Sequence, residues 1–235
     1  MDRSDKVNSK LSASKMEAAS LCPAFFQGNQ LFPWIGDRSA ADEGTIRHDN
    51  EENQVPLEDI DDDERRLCAY RCRQALEECR QKVFGTSLGF VVSREVRYWY
   101  DESWSGQLDY METDGVTVFI ADYKTLHGSH TPATKNIQLL AQAVLVLKNN
   151  PDIEDVYACL IEPFNKPTYT TVKYGKEYLL KKSKWLEEVV EEAYSNDPKQ
   201  IPGSKQCKWC SALYVCSEAK KHINSCLQKM EDENE

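Results

Sequence analysis

The stretch that most constrains this chain spans residues 106–124. Two segments of β-type alternation, 106–111 and 116–123, flank a tight Thr113-Asp114-Gly115 turn. Asp-Gly at a short connection between such runs is the mark of a hairpin. The second run is apolar through Val116, Val118, Phe119 and Ile120 and ends on Asp122-Tyr123-Lys124, so a buried strand emerges onto a polar site. Asp109 and Asp122, 13 positions apart on neighbouring strands, can face each other across one sheet surface. Oxygen ligands so placed suit Mg²⁺ or Mn²⁺, which a lone carboxylate holds weakly. Side chains two apart on a strand share a face, which sets the Lys124 ammonium beside the pair. There it can orient or deprotonate a water and stabilise charge that builds on a reacting phosphate. A lone Asp-x-Lys is more often a solvent-facing ion pair; the facing Asp109 and the buried strand favour chemistry here.

The rest of the pattern surrounds that hairpin with helices. Helical signals cover residues 12–20, stopped by Cys22-Pro23, then 40–52 and 58–82, with an ordered loop expected at 27–36. The acidic segment 58–63 leads into the last of these helices, where Leu67, Tyr70, Leu76 and Val83 form an approximate helical stripe, and Gly85 ends the helix. The period changes to two at 91–100, giving three consecutive strands. A helix at 133–149, apolar on one side (Ile137, Leu140, Ala141, Val144, Leu147), precedes strands at 155–163 and 168–174 and a long helix at 176–194. A linker around Asp197-Pro198 and Pro202-Gly203 leads to a cysteine knuckle and a basic final helix. The order describes an α/β core sheet flanked by helices. Three regions are expected within one integrated domain: a helical region at 1–85, a core at 86–195 and an extension at 196–235.

No run of apolar residues is long enough to span a bilayer, and the N-terminal residues are polar, so a soluble intracellular protein with no membrane partner is expected. The net charge of −10 weighs against tight, non-specific nucleic-acid binding, although much of the acid lies in local runs at 51–64, at 187–192 and in the last five residues. Nine cysteines in such a chain read as thiols or metal ligands. Cys207-Lys-Trp-Cys210 with Cys216 forms C-x2-C-x5-C, three thiolates that leave one ligand position open. Cys22, Cys226 and His222 are all candidates for it. Zinc and an iron–sulfur cluster both suit such a set. Cys68, Cys72, Cys79 and Cys159 read as core thiols.

Gly106-Gln-Leu-Asp109 and Asp122-Tyr-Lys124-Thr125, with Gly44-Thr-Ile-Arg-His48 upstream, together resemble the RecB-like branch of the PD-(D/E)XK nucleases. The resemblance implies a restriction-endonuclease-like core in which His48, Asp109, Asp122 and the Tyr123 carbonyl hold Mg²⁺ or Mn²⁺ and Lys124 acts on the nucleophile. Gln138 matches the first residue of the family's DNA-positioning Q-x-x-x-Y, while Gln142 stands where tyrosine is expected. Cys22-Pro23 with Cys207, Cys210 and Cys216 is similar to the [4Fe–4S] pattern of the CRISPR-associated exonucleases of this branch and of phage relatives. The implied activity is exonucleolytic cleavage of single-stranded DNA or duplex ends, in recombination, repair or phage genome processing, with unwinding supplied by a helicase or recombination partner. A non-catalytic nucleic-acid or protein-binding module that keeps the fold is the alternative. Glu95, His127 and His130 are further polar residues near the expected site.

Overall fold

A computed structural model describes residues 10–85 and 90–232. The polar terminus at 1–9, residues 86–89 and the end of the acidic tail at 233–235 lie outside the described residues. The chain begins with a two-residue strand, β1 (Leu11–Ser12), and two short helices, α1 (Met16–Leu21) and α2 (Ala24–Leu31). Helices α3 (Ser39–Glu52) and α4 (Asp63–Phe84) follow. Then come β2 (Val91–Trp99), β3 (Trp104–Thr113) and β4 (Thr117–Tyr123), α5 (Ile137–Asn149), β5 (Asp155–Ile161), β6 (Tyr169–Gly175) and α6 (Lys176–Tyr194). A single turn, α7 (Ser204–Cys207), and α8 (Ser217–Asp232) complete the described chain.

Local chemistry accounts for the boundaries. Asp62 caps α4 by accepting the Arg65 amide at 2.8 Å, and Asn136 caps α5 by accepting the Leu139 amide at 2.9 Å. Gly85 closes α4 at φ 67°. In the β3–β4 turn Gly115 adopts φ 94°, and Asp114 Oδ1 accepts the Val116 and Thr117 amides. The expected hairpin is therefore present and antiparallel.

The six strands form one mixed sheet between two helical layers. β4 runs parallel to β5, with α5 as the crossover, and β6 returns antiparallel. One face, through Leu108, Val118, Ile120, Ala158 and Leu160, packs under α5, α6 and α1. The other face, through Phe119, Ala121, Tyr123, Cys159 and Ile161, packs on α4. Asp122 thus falls on the α5 face, in line with Val118 and Ile120.

Several expectations need correction. The α4 stripe is not Leu67 and Tyr70, which are exposed at 41% and 46%. The buried face is Cys68, Ala69, Cys72, Ala75 and Cys79, small side chains that let the helix lie close on the sheet. Helix α5 is not apolar on one side only: Leu139 through Leu147 are all buried, because α1 and α6 cover the side turned away from the sheet. The stretch 27–36 is in part helical, since α2 runs to Leu31. Its Gly28 admits the C-terminal segment, where an added Cβ would lie 2.9 Å from Ala212 Cβ. The helix expected at 12–20 opens as a 3-10 turn at Ala13–Lys15 and becomes α-helical at Met16, because Leu11 and Ser12 pair in parallel with Trp104 and Ser105.

β3 also has a close approach of its own. A Cβ on Gly106 would meet Leu145 Cδ1 at 2.7 Å and Ala13 Cβ at 2.9 Å, so only glycine lets α5 and the N-terminal segment settle on the strand. Replacing Gly106 by alanine is expected to destabilise the protein by about 1–3 kcal/mol, the usual cost of overpacking. At Gly44, in mid-helix, an added methyl meets only Leu126 at ordinary contact distance, and Gly44→Ala should be neutral or stabilising by up to about 1 kcal/mol. Urea denaturation of the two variants tests the contrast; equal stability for both would refute the steric account.

Candidate active site

Three elements converge where the sheet forks. β3 pairs along its length with β2, but on its other edge it meets β1 at Trp104 and Ser105 and β4 only from Tyr110 onward. Between those partners the strand edge is open, and side chains close it. Asp109 Oδ2 accepts the Tyr123 amide at 2.8 Å, and Gln142 Nε2 donates to the Gln107 carbonyl at 2.9 Å. On the same rung Glu95 adopts φ 49°, a left-handed conformation that costs a residue with a Cβ and commonly marks a functional position. The alternation of faces slips one step there on both strands. Leu108 and Met111 share the α5 face, while Tyr110 faces α4, with the Arg94 guanidinium over its ring. The slip turns Glu95 and Asp109 towards the same place.

Helix α3 brings His48 to that place. Arg47, its buried neighbour, donates to Glu43, to Glu64 and, at 2.8 Å, to the Thr125 carbonyl just beyond β4. This clamp ties α3 and α4 to the strand that carries Asp122. His48 Nδ1 then lies 3.6 Å from Asp109 Oδ2, and its ring meets the edge of Tyr123 with centroids 6.4 Å apart. Ligand atoms of His48, Glu95 and Asp109 all fall within 4.8 Å of one another, the tightest such group among the described residues.

Asp122 stands beside this group, not inside it. Its Oδ1 accepts from Gln138 Nε2, and Lys124 Nζ donates to Gln138 Oε1 at 3.0 Å, so Gln138 braces the pair from α5. Gln142, in the place of the expected tyrosine, also reaches Asp122 Oδ1 at 3.5 Å. Lys124 Nζ approaches Asp122 Oδ2 at 2.6 Å, yet off the direction of a hydrogen bond, so that this buried oxygen has no well-aligned donor. His130 pairs with Glu162 at 3.0 Å, and His127 lies on the Phe164 ring near Glu64; neither joins the His48 group. Tyr98, Tyr100 and Trp104 belong to the core, with Tyr100 stacked on Trp104.

Crowded carboxylates dominate the electrostatics. Burial pushes Asp109 well above the usual carboxylate range, and the neighbouring Asp122 and Glu95 charges add to the push against the Tyr123 amide. Burial likewise raises Glu95, and burial lowers His48. Burial opposes the Lys124 ammonium, but Asp122, with help from Asp109 and Glu162, outweighs it and the group is raised. An imidazole nitrogen and carboxylate oxygens from Glu95 and Asp109 within 4.8 Å of one another form a donor set that fits a divalent cation.

The sequence profile of the PD-(D/E)XK nuclease superfamily matches residues 37–217, a span that holds every residue just described. The chain belongs to this superfamily. PD-(D/E)XK nucleases use divalent metals, and the His48 group answers to that requirement. Two solved structures are similar in backbone. SSO0001 is 13% identical over 89% of this chain and 86% of its own, with a TM-score of 0.43. An alkaline exonuclease, LHK-Exo from Laribacter hongkongensis, is 10% identical over 81% and 88%, with a TM-score of 0.37. No curated protein sequence matches.

Of the residues expected in the site, His48, Asp109, Asp122, Tyr123 and Lys124 lie together. Gln138 is turned inward onto the Asp122–Lys124 pair. Glu95 was the residue sequence reasoning undervalued. The register sets it opposite Asp109, between the Arg94–Tyr110 and Val96–Leu108 pairs.

A cation should therefore relieve strain that the apo protein carries. Saturating Mn²⁺, at about 100 times its dissociation constant, should stabilise the wild type by roughly 3 kcal/mol. Asp109→Asn, which removes the most crowded charge and keeps an oxygen for the Tyr123 amide, should be at least as stable as wild type without metal and should lose the Mn²⁺ response. Thermal melts with and without Mn²⁺ check both. An undiminished Mn²⁺ shift in the variant would remove Asp109 from the ligand set.

Proposed function

We propose that the chain is a divalent-metal-dependent DNA nuclease that hydrolyses phosphodiester bonds, acting as an exonuclease on single-stranded DNA or duplex ends. The observation that carries this reading is the convergence of His48, Glu95 and Asp109 beside the Asp122–Lys124 pair. His48, Asp109 and Asp122, with the Tyr123 carbonyl, would hold Mg²⁺ or Mn²⁺, and Glu95 joins them as a further carboxylate. The bound cation supplies Lewis-acid polarisation of the phosphate and a more acidic water. Lys124, held by Asp122 and Gln138, orients the attacking water and offsets negative charge on the phosphate as the bond order changes. Gln138 and Gln142 hold one oxygen of the Asp122 carboxylate, and Lys124 lies against the other. A role in recombination, repair or phage genome processing, with a helicase or recombination protein as partner, follows from the resemblance to the RecB-like branch.

The cysteine set belongs to the same reading. Cys22, Cys207, Cys210 and Cys216 line one cavity of about 430 Å³ between α2 and the C-terminal segment. Cys226 is exposed on α8, 3.9 Å from His222, and neither lines that cavity. Thiolates around one zinc ion would stand within about 4 Å of each other, given Zn–S bonds near 2.3 Å. Zinc and a [4Fe–4S] cluster both suit four thiolates; the resemblance favours the cluster, which would join α2 to the knuckle as a structural clamp.

Two measurements test the reading. Cleavage of labelled DNA should occur with Mg²⁺ or Mn²⁺ and stop in EDTA. Lys124→Ala should lower the rate by about 10²- to 10⁴-fold with the melting curve retained, and full activity in that variant would sink the assignment. Separately, protein purified without oxygen should be brown, with iron and sulfide in equal amounts, and Cys22→Ser should lose both colour and stability. Tightly bound zinc without sulfide would replace the cluster by a zinc knuckle and leave the nuclease reading standing.

A further inference from the structure

A second feature runs outward from Lys124, on the side away from His48. A groove of about 410 Å³ is lined at one end by Lys124, Gln138 and His130, and at the other by Lys205 and Trp209 of the C-terminal segment. Glu17 of α1 forms part of its floor and pairs with Lys205 at 3.3 Å. Trp209 is 60% exposed, an unusual state for so large an apolar ring. Its ring lies 5.9 Å from that of Trp34, itself 40% exposed, at an interplanar angle of 41°. Lys208 Nζ sits 5.0 Å over the Trp209 ring. Exposed tryptophans framed by lysines, and continuous with a candidate phosphodiester site, have the composition that binds unpaired nucleic acid: π faces for bases and ammonium groups for phosphates.

We propose that this groove holds the single-stranded segment of the DNA substrate, with a base stacked on Trp209 and the backbone led by Lys205 and Lys208 towards Lys124. The proposal rests on the nuclease reading and deepens it by naming the substrate class at a particular surface. Charge decides against a duplex here. The acidic chain offers only these few lysines along the groove, whereas a duplex presents twice the phosphate density and hides its base faces. Stacking on a π face needs unpaired bases and tolerates any sequence. Glu17 opposes the phosphates and limits the affinity, so a strand can advance after each cleavage.

The test is fluorescence anisotropy of a labelled twelve-nucleotide oligothymidine, and of a blunt duplex of equal length, with the full chain in EDTA. Trp209→Ala should weaken binding of the single strand by about 5- to 150-fold, the range for loss of one stacked base, and change duplex binding by no more than about twofold. Trp209→Phe should recover most of the loss, and Glu17→Gln should tighten the single strand. Unchanged single-strand affinity in Trp209→Ala would overturn the proposal and leave the aromatic face to a protein partner. Equal losses on single strand and duplex, or no recovery with phenylalanine, would overturn stacking as the basis. Cleavage by the wild type in Mn²⁺ is scored in parallel: a wild type that binds but never cleaves refutes the nuclease reading, whereas one that cleaves while Trp209→Ala binds normally refutes only the groove.

Discussion

Where β3 and β4 part company, the Tyr123 amide loses its strand partner, and the Asp109 carboxylate accepts it at 2.8 Å. A buried amide without an acceptor costs on the order of 1–3 kcal/mol, so the fork exists only because a side chain can serve in place of the ladder. The same act fixes one carboxylate oxygen at the mouth of the sheet. The short β1 strand holds the fork open by occupying the edge of β3 that β4 leaves. Gly106 and Gln142 complete the arrangement, the first by its lack of a side chain and the second by satisfying the Gln107 carbonyl. Structural need and candidate chemistry thus meet in one residue.

Around that point, cations and acids are sorted into two kinds of arrangement. Arg47 with Glu43 and Glu64, and Arg73 with Glu51, tie α3 to α4, while Arg80 with Glu112 ties α4 to β3. At the His48 group the acids outnumber their partners, and burial together with mutual repulsion raises Asp109 and Glu95. A fold that balances its buried charges elsewhere leaves an excess of negative charge in one cleft. That excess is the electrostatic form of a cation site.

Local chemistry explains what could be read from the chain and what could not. The β3–β4 hairpin was legible because turn residues and alternation act over a few positions, and Asp122 and Lys124 shared a face by periodicity alone. His48 could be found only through its resemblance to a family pattern, since nothing in α3 itself marks a ligand. Glu95 was hard to see because its place depends on a left-handed φ and on the phase slip across from Asp109. On α4 the core thiols Cys68, Cys72 and Cys79 are legible, and Leu76 and Val83 pack beside them, but Leu67 and Tyr70 face outward because alanine and cysteine set the distance from the sheet. Helix α2 was hidden because Gly28 reads as a loop residue, although its role is to admit Ala212.

The contact between α2 and the knuckle also bears on the order of events during synthesis. Asn29 Oδ1 accepts from the Ser211 amide at 3.0 Å, and Gly28 faces Ala212, partners separated by most of the chain. At about 5–20 residues per second, α2 waits on the order of 10–40 s after leaving the ribosome before its partner appears. The sheet, the His48 group and Lys124 can all assemble in that interval, whereas the far wall of the Lys124 groove cannot. A nascent chain therefore carries its chemical residues well before it has the surface that would feed them.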